Sequence, residues 1–186
     1  MKKKSASPVS GKRILLGVTG CIAAYKSCDL VSRLTQAGAE LRVAMTREAC
    51  EFVTPLTLRT LSRGPVFTEM FESPREYDPV HVRLAEWAEI LVIAPATANL
   101  IGKIACGIAD DLLTCSMMAT RAPVLIAPAM NTAMYENKIV QENIKKLKKR
   151  GYRFVGPDRG YLACGCEGIG RLASTEEIIT AIERLV

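Results

Sequence analysis

Histidine occurs once in this chain, at position 81, tryptophan occurs once, and aromatic residues make up only 5% of the 186 residues. The core must therefore be built from aliphatic side chains. A nucleic-acid surface that interleaves basic residues with stacking aromatics has little to draw on, so no nucleic-acid partner is expected. The seven cysteines, at positions 21, 28, 50, 106, 115, 164 and 166, include no CxxC pair. With a single histidine beside them they do not form a zinc pattern and read as free thiols of a reducing cytoplasm, with no metal. No apolar run approaches the length of a membrane span. Neither G-x-G-x-x-G nor G-x-x-x-x-G-K-[ST] occurs, so dinucleotide and P-loop binding lack their signatures.

What is present is apolar and mildly basic: 49% hydrophobic residues and a net charge of +6. Such a length suits one domain with a sizeable core. The basic residues gather in Lys2–Lys4, Lys12–Arg13 and the run from Lys145 to Arg150. The first group marks a disordered basic tail over 1–12, and the last is the solvated face of a helix. The remaining field would attract a phosphorylated small molecule. The start of the chain, ending in "VTGC", imitates a lipoprotein signal, but its apolar run is short and broken by Gly17, Thr19 and Gly20. It reads better as a first core strand.

Strand and helix patterns then alternate. Apolar strands are predicted at Arg13–Val18, Glu40–Thr46, Glu89–Pro95 and Pro123–Pro128, with a last one in "YRFVGP". Helices are predicted over Ile22–Ala37, Glu48–Phe52, Pro55–Leu61, Ala98–Cys106, Ala109–Thr120 and Glu136–Arg150. A further helix should start at Asp78-Pro79, with Asp as N-cap and Pro at the first helical position. Ser62–Tyr77 reads as irregular, and the glycine-rich Asp158–Leu172 as a flexible flap. Ser174 and Glu177 form a capping box for a final helix whose apolar face carries Ile178, Ile179, Ile182 and Leu185. The pattern is that of a single domain, 13–186: a doubly wound α/β fold with a mainly parallel sheet and helices on both faces, a flavodoxin- or Rossmann-like three-layer sandwich.

Ligands in such sheets bind beyond the carboxyl ends of the strands, where the strand order reverses. The segments there are "GVTGCIAAYK", "MTREA", "APATANL" and "APAMNTAM". Gly20, Cys21 and Ile22 would present backbone N–H groups to a phosphate at a helix start. Thr46, Thr97 and Asn99 could add side-chain donors. Each alone reads equally well as an ordinary cap, but four polar strand ends together favour an anion-bearing cofactor. His81 follows Asp78-Pro79 and could serve as a base or be purely structural. Cys164, in "LACGCEGIGRL", could swing into a site as a proton donor or be an exposed thiol.

These segments, with "HVRLAEWAEILVIAPATANLIGKIACGIADDLLT", resemble the homo-oligomeric flavin-containing cysteine decarboxylases, and the resemblance runs from about Arg13 to Leu172. It implies an FMN enzyme of coenzyme A biosynthesis acting on 4′-phosphopantothenoylcysteine, a phosphorylated small molecule. In that chemistry the substrate thiol is oxidised to a thioaldehyde, CO2 leaves to give an enethiolate, and reduction yields 4′-phosphopantetheine. Carried over residue by residue, Asn131 grips the substrate carboxylate, His81 accepts a proton in the oxidative half, and Cys164 protonates the intermediate in the reductive half. Met130 and Met134 would be apolar walls, and Leu162 and Ala163 would close over the substrate. Gly20, Cys21, Ile22, Thr46, Thr97, Ala98, Asn99, Leu100 and Ala129 would hold FMN. The family's flavin lies between subunits of a homotrimer, in some members built into a dodecamer, where His81 could serve a neighbour's flavin. With the chain ending at Val186, the expectation is a stand-alone decarboxylase linked to a separate phosphopantothenoylcysteine synthetase.

Three positions depart from the family pattern. Cys21 replaces a serine in the phosphate loop and removes a hydroxyl donor, Tyr135 stands for a tryptophan as an aromatic wall, and Cys166 stands where the flap commonly carries Asp. The alternative readings are a peptidyl-cysteine decarboxylase, which would stop at the enethiol and need no Cys164, and a flavin-binding regulatory subunit.

Overall fold

The structure, a computed structural model, describes residues 7–71 and 79–186. Strand β1 (Arg13–Val18) leads through a 3-10 turn (Ile22–Tyr25) into α1 (Lys26–Gln36), β2 (Glu40–Met45), α2 (Arg47–Cys50) and α3 (Pro55–Ser62). Next come β3 (Val66–Phe67), α4 (Val80–Trp87), β4 (Ile90–Ala96), α5 (Ala98–Cys106) and α6 (Leu112–Ala119). They are followed by β5 (Val124–Pro128), α7 (Thr132–Glu136), α8 (Lys138–Lys149) and β6 (Arg153–Phe154). A hairpin of β7 (Asp158–Tyr161) and β8 (Glu167–Arg171) precedes α9 (Thr175–Glu183).

The six-stranded sheet runs β3-β2-β1-β4-β5-β6, and every neighbouring pair is parallel. Its first half winds outward from β1 and its second half outward from β4, which makes the fold doubly wound. The order reverses between β1 and β4, so a crevice opens where these two strands end.

The two-residue period of the strands divides the core into two layers. Ile14, Leu16, Ile90 and Val92 point to one side and pack with Leu30 and Leu34 of α1, Leu58 of α3 and Ile182 of α9. Leu15, Leu91, Ile93 and Ile126 point to the other and meet Leu84 of α4, Ile101 of α5, Leu113 of α6 and Leu147 of α8. Burial of each such side chain contributes about 1.5–3 kcal/mol before chain entropy is counted. An aromatic-poor sequence can build this core because a sheet covered on both faces needs thin, branched side chains more than broad ones.

Several local expectations change. Residues 7–12 are not tail: they form a turn closed by Ser10 N–H to Ser7 O and Lys12 N–H to Val9 O, and Val9 is fully buried. Residues 1–6 lie outside the described residues. So does Asp78, the expected helix cap; α4 begins at Val80 with Pro79 as N-cap. The stretch read as irregular contains β3, which pairs with β2 at the sheet edge. The expected helix from Ile22 opens as a 3-10 turn. The expected basic helix over Glu136–Arg150 is present as α8, and a further short helix, α7, precedes it; Asn137 separates the two, its side chain accepting the Ile139 N–H at 2.9 Å. The glycine-rich flap is an antiparallel hairpin whose register shifts between Asp158 and Arg159. The Ser174–Glu177 capping box is present in both directions.

Candidate active site

The ends of β1 and β4 are tied together by one buried hydroxyl. Thr19 Oγ1 donates to Pro95 O at 2.8 Å and accepts the Thr97 N–H at 3.0 Å, while the Thr19 N–H also reaches Pro95 O. Below it, Ser27 Oγ donates to Ala94 O at 2.8 Å. The Ala94–Pro95 peptide is cis. These bonds satisfy carbonyls and amides that the sheet ladder cannot reach at the strand ends, and so hold the crevice open in one shape. Thr19 was not among the residues singled out from the sequence. Its signal was a lone hydroxyl closing an all-apolar strand.

Two more threonines border the crevice as helix caps. Thr46 Oγ1 accepts the Ala49 N–H at 3.3 Å and Thr97 Oγ1 accepts the Leu100 N–H at 3.3 Å. In each, the hydroxyl proton remains to be donated, so cap and ligand contact are compatible. Gly20 lies so close to the start of α2 that a Cβ would stand 2.3 Å from Glu48 Cβ and 2.9 Å from Glu48 C, and only glycine fits there. Of the three amides expected to face a phosphate, that of Cys21 is already given to Thr19 O at 3.0 Å. The Gly20 and Ile22 amides have no acceptor among the described residues. Burial pushes the Cys21 thiol up, opposed in part by the Ala23 and Ala24 amides.

Thr19, Gly20, Cys21, Thr46 and Thr97 line a cleft of about 810 Å³, together with Met45, Ala98, Asn99, Leu100, Ala129 and Met134, whereas Ile22 lines the neighbouring cleft described below. Its rim carries a polar cluster that the sequence reading passed over: Lys103 Nζ lies 2.8 Å from Asp110 Oδ1 and 3.2 Å from Asp111 Oδ2. Asp111 also caps α6 in a capping box with Thr114.

A second cleft of about 580 Å³ lies under the β7–β8 hairpin and shares Cys21, Ala129, Met130 and Asn131 with the first. Leu162 and Ala163 line it, Leu162 buried and Ala163 exposed. Asn131 is the N-cap of α7, and its Oδ1 accepts the Ala133 N–H at 2.8 Å. That bond fixes which way the amide faces: the oxygen turns into the helix and the NH2 turns out. The outward Nδ2 donates to Cys164 Sγ at 3.5 Å. Cys164 Sγ is in turn 3.2 Å from Cys166 Sγ. The Cys166 thiol holds Cys164 below the ordinary thiol range, with the Cys166 and Asn131 N–H groups adding to it, while Cys166 itself is pushed up by Cys164.

The hairpin reaches this position because β8 has no side chains where it meets the loop before α7. The Met130 N–H donates to Gly170 O at 2.9 Å. A Cβ on Gly170, whose φ is +138°, would lie 2.1 Å from Met130 O, and one on Gly168 would lie 2.1 Å from Thr132 Oγ1. Its glycines dock the flap rather than loosen it.

Two expected positions fall elsewhere. His81, on α4, is not among the residues lining either cleft, and its Nδ1 is buried without a hydrogen-bond partner among the described residues. Tyr135 walls neither cleft; it packs against the core layer formed by α4, α5, α6 and α8.

A parallel sheet of this order, with a polar-capped crevice at its switch point, defines the class as a Rossmann-like ligand-binding domain. The chain belongs to the Flavoprotein family, whose profile matches residues 2–186. It is 49% identical over 176 residues to the coenzyme A biosynthesis bifunctional protein CoaBC of Bacillus subtilis (strain 168), an alignment covering 95% of this chain and 43% of that protein. The chain thus spans less than half the length of that relative. Among solved structures it is similar to a PPC decarboxylase variant complexed with pantothenoylaminoethenethiol, with TM-score 0.86, 32% identity, and 94% and 97% of the two chains covered. It is also similar to the FMN-dependent cysteine decarboxylase SpaF, with TM-score 0.80, 33% identity, and 94% and 99% covered. Among the described residues no helix is long and apolar enough to cross a membrane.

Proposed function

We propose that this chain is an FMN-dependent carboxy-lyase that converts 4′-phosphopantothenoylcysteine to 4′-phosphopantetheine in coenzyme A biosynthesis. The observation that carries this reading is the contact of the Asn131 amide with the Cys164 sulfur, 3.5 Å apart, where the two clefts meet. A carboxylate-binding donor and a proton donor there can act on one small substrate.

The larger cleft fits a flavin mononucleotide. Gly20 forms a cradle that a Cβ would fill, the Gly20 and Ile22 amides and the Thr46 and Thr97 hydroxyls can hold a phosphate and ribityl chain, and Met45, Leu100 and Ala129 offer apolar contact. Ala98 and Asn99 complete that wall. When bound, FMN supplies a two-electron oxidation of the substrate thiol and the return of those electrons after CO2 has left. The rest is the work of the chain. The Asn131 Nδ2 holds the departing carboxylate by neutral hydrogen bonds, which orient it without an ion pair that would hold the charge back. Met130, Met134, Leu162 and Ala163 keep water away from the reacting carbons, which strengthens every polar contact inside. The Cys164 thiol gives its proton to the enethiolate carbon in the reductive half.

His81 takes the thiol proton in the oxidative half. Because it stands outside both clefts of its own copy, it does so for a neighbouring copy, in a homotrimer or a dodecamer of trimers. Exposed apolar side chains such as Phe71 (88% exposed) and Leu56 (68%) support burial between copies. The relatives described as bifunctional support a functional link to a second activity of coenzyme A biosynthesis; that activity is assigned to a phosphopantothenoylcysteine synthetase, with both steps in the cytoplasm, as part of the same proposal. The unit acting in this way is the single domain formed by 13–186, with the turn at 7–12 as part of it.

The test is a mass spectrum of 4′-phosphopantothenoylcysteine after incubation with FMN-loaded protein. Loss of CO2 alone is expected. Loss of CO2 and two further hydrogens would remove Cys164 from its role, and an unchanged substrate would sink the decarboxylase reading. Cys164→Ser should stop at the enethiol, two hydrogens lighter than the normal product.

A further inference from the structure

Cys164 and Cys166 flank Gly165 at the tip of the β7–β8 hairpin. Gly165 has φ +86° and donates its N–H to Leu162 O at 2.9 Å, while the Leu162 N–H returns to Cys166 O at 2.9 Å. This closed turn sets residues 164 and 166 side by side, and their sulfurs stand 3.2 Å apart. Both side chains are exposed. A disulfide needs an S–S distance of about 2.05 Å, so the gap closes by little more than about 1 Å of side-chain movement.

We infer that Cys164 and Cys166 are an oxidative modification site, at which a peroxide closes a reversible disulfide within the hairpin loop. The Cys164 thiolate attacks the O–O bond: an S–O bond forms, the O–O bond breaks, and the released oxygen leaves as water after taking a proton. The Cys166 sulfur then attacks Cys164 Sγ: an S–S bond forms, the S–O bond breaks, and a second water leaves. Two thiols lose two electrons and two protons in all, and one hydrogen peroxide becomes two waters. A thiol reductant reverses the change.

The pairing sets this site apart from Cys106, which is exposed but forms no thiol pair like that of Cys164 and Cys166, and burial sets it apart from three others. Burial pushes the Cys21, Cys28 and Cys115 thiols up, so less of each is thiolate, whereas Cys164 is held down by its neighbour. An exposed thiolate beside a resolving thiol is the arrangement peroxide attacks first. The consequence rests on the proposed function: a Cys164 held in a disulfide has no proton to give, so the reductive half stops until the bond is reduced.

The experiment treats the purified full chain with hydrogen peroxide, alkylates it, and maps the cysteines by peptide mass. A loss of about 2 Da, two hydrogens, confined to the peptide holding both residues and erased by dithiothreitol, is the expected result. In Cys166→Ser, which lacks the resolving thiol, the Cys164 sulfenic acid persists and excess peroxide carries it on to sulfinic or sulfonic acid, one further peroxide consumed per added oxygen, so the expected result is added oxygen on Cys164 that dithiothreitol does not remove. Oxygen addition at Cys164 in the unaltered chain, or a disulfide mapping to any other pair, overturns the proposal. Turnover measured in parallel should fall about tenfold or more and recover with dithiothreitol. If the untreated chain turns over no substrate, the decarboxylase reading fails, while the peptide masses still decide the disulfide.

Discussion

The two clefts share four residues and are built on opposite principles. The larger one is an extension of the core: Thr19 and Ser27 are buried, the Thr19 bonds join two strand ends and the Ser27 bond joins α1 to β4, and threonine caps begin α2 and α5. The smaller one is closed by a hairpin whose residues 163–167 are all exposed and which is fastened by the Met130–Gly170 backbone bond, two glycines in close approach, the Asn131–Cys164 contact and, at its base, a hydrogen bond between Asp158 and Glu177. A cofactor that stays through many turnovers suits the first, and a substrate that must enter and leave suits the second. Local stability should therefore differ between them even though they meet at Met130.

The sharpest way to break that division is at the shared residue. Asn131→Asp keeps the cap oxygen for the Ala133 N–H but replaces the outward NH2 with an acceptor that repels a carboxylate. Turnover should fall by about 10²- to 10³-fold, the range for loss of one aligned donor. Bound flavin, read from its visible absorbance, and the thermal midpoint should stay as in the unaltered chain. Loss of flavin would show that the clefts are not separable.

Gly170→Ala attacks only the hairpin. Its φ of +138° and the 2.1 Å approach of a Cβ to Met130 O oppose docking of β8, a conformation that costs a non-glycine residue about 1–3 kcal/mol. Turnover should drop about tenfold or more, limited proteolysis should cut at 161–167, and flavin content should not change. A fall in flavin content would place the hairpin in the cofactor site as well.

Thr19→Val is the converse, aimed at the rigid cleft. It leaves the Thr97 N–H without its acceptor in a partly buried place, at a cost of about 1 kcal/mol. Urea unfolding should report that loss, and flavin affinity should weaken with it. An unchanged midpoint would mean that water replaces the hydroxyl.

The smallest effect concerns pH. Cys164 donates only while protonated, and its pKa is depressed, first by the Cys166 thiol. The reductive half should therefore decline with rising pH earlier than an ordinary thiol would allow. In Cys166→Ala, which removes the principal cause because alanine has no donor, the decline should move to higher pH. A profile identical in both would leave Cys164 uninfluenced by its neighbour.

Much of this was open to sequence reasoning. The Arg13–Val18 strand and the Ala98–Cys106 helix need only the period of their apolar residues and, for the helix, Thr97 as cap and Gly107 beyond its end. Ser174 and Glu177 specify their own capping box because the pair lies within one turn. Asn131 was legible too, as an amide at a strand end, although its orientation was not: that depends on the Ala133 N–H, a choice made when α7 forms. Val9 was hidden among basic and turn residues, and it is buried because the turn before β1 crosses the end of the α1–β2 connection, where the Gly11 N–H meets Gly38 O.

The glycines of Glu167–Arg171 mark the limit best. Composition assigns them to a loose flap, since glycine frees the backbone of an isolated segment. The folded chain uses the same lack of side chains to bring one backbone against another. Local sequence therefore determined five of the eight strands, most helices, their caps and the polar residues at the strand ends, because those follow from interactions within a few residues. Only tertiary structure decided that Thr19 locks two strands, that Cys164 meets Asn131, and that His81 stands away from both clefts. Each depends on distances between segments far apart in the chain, and no local pattern contains them.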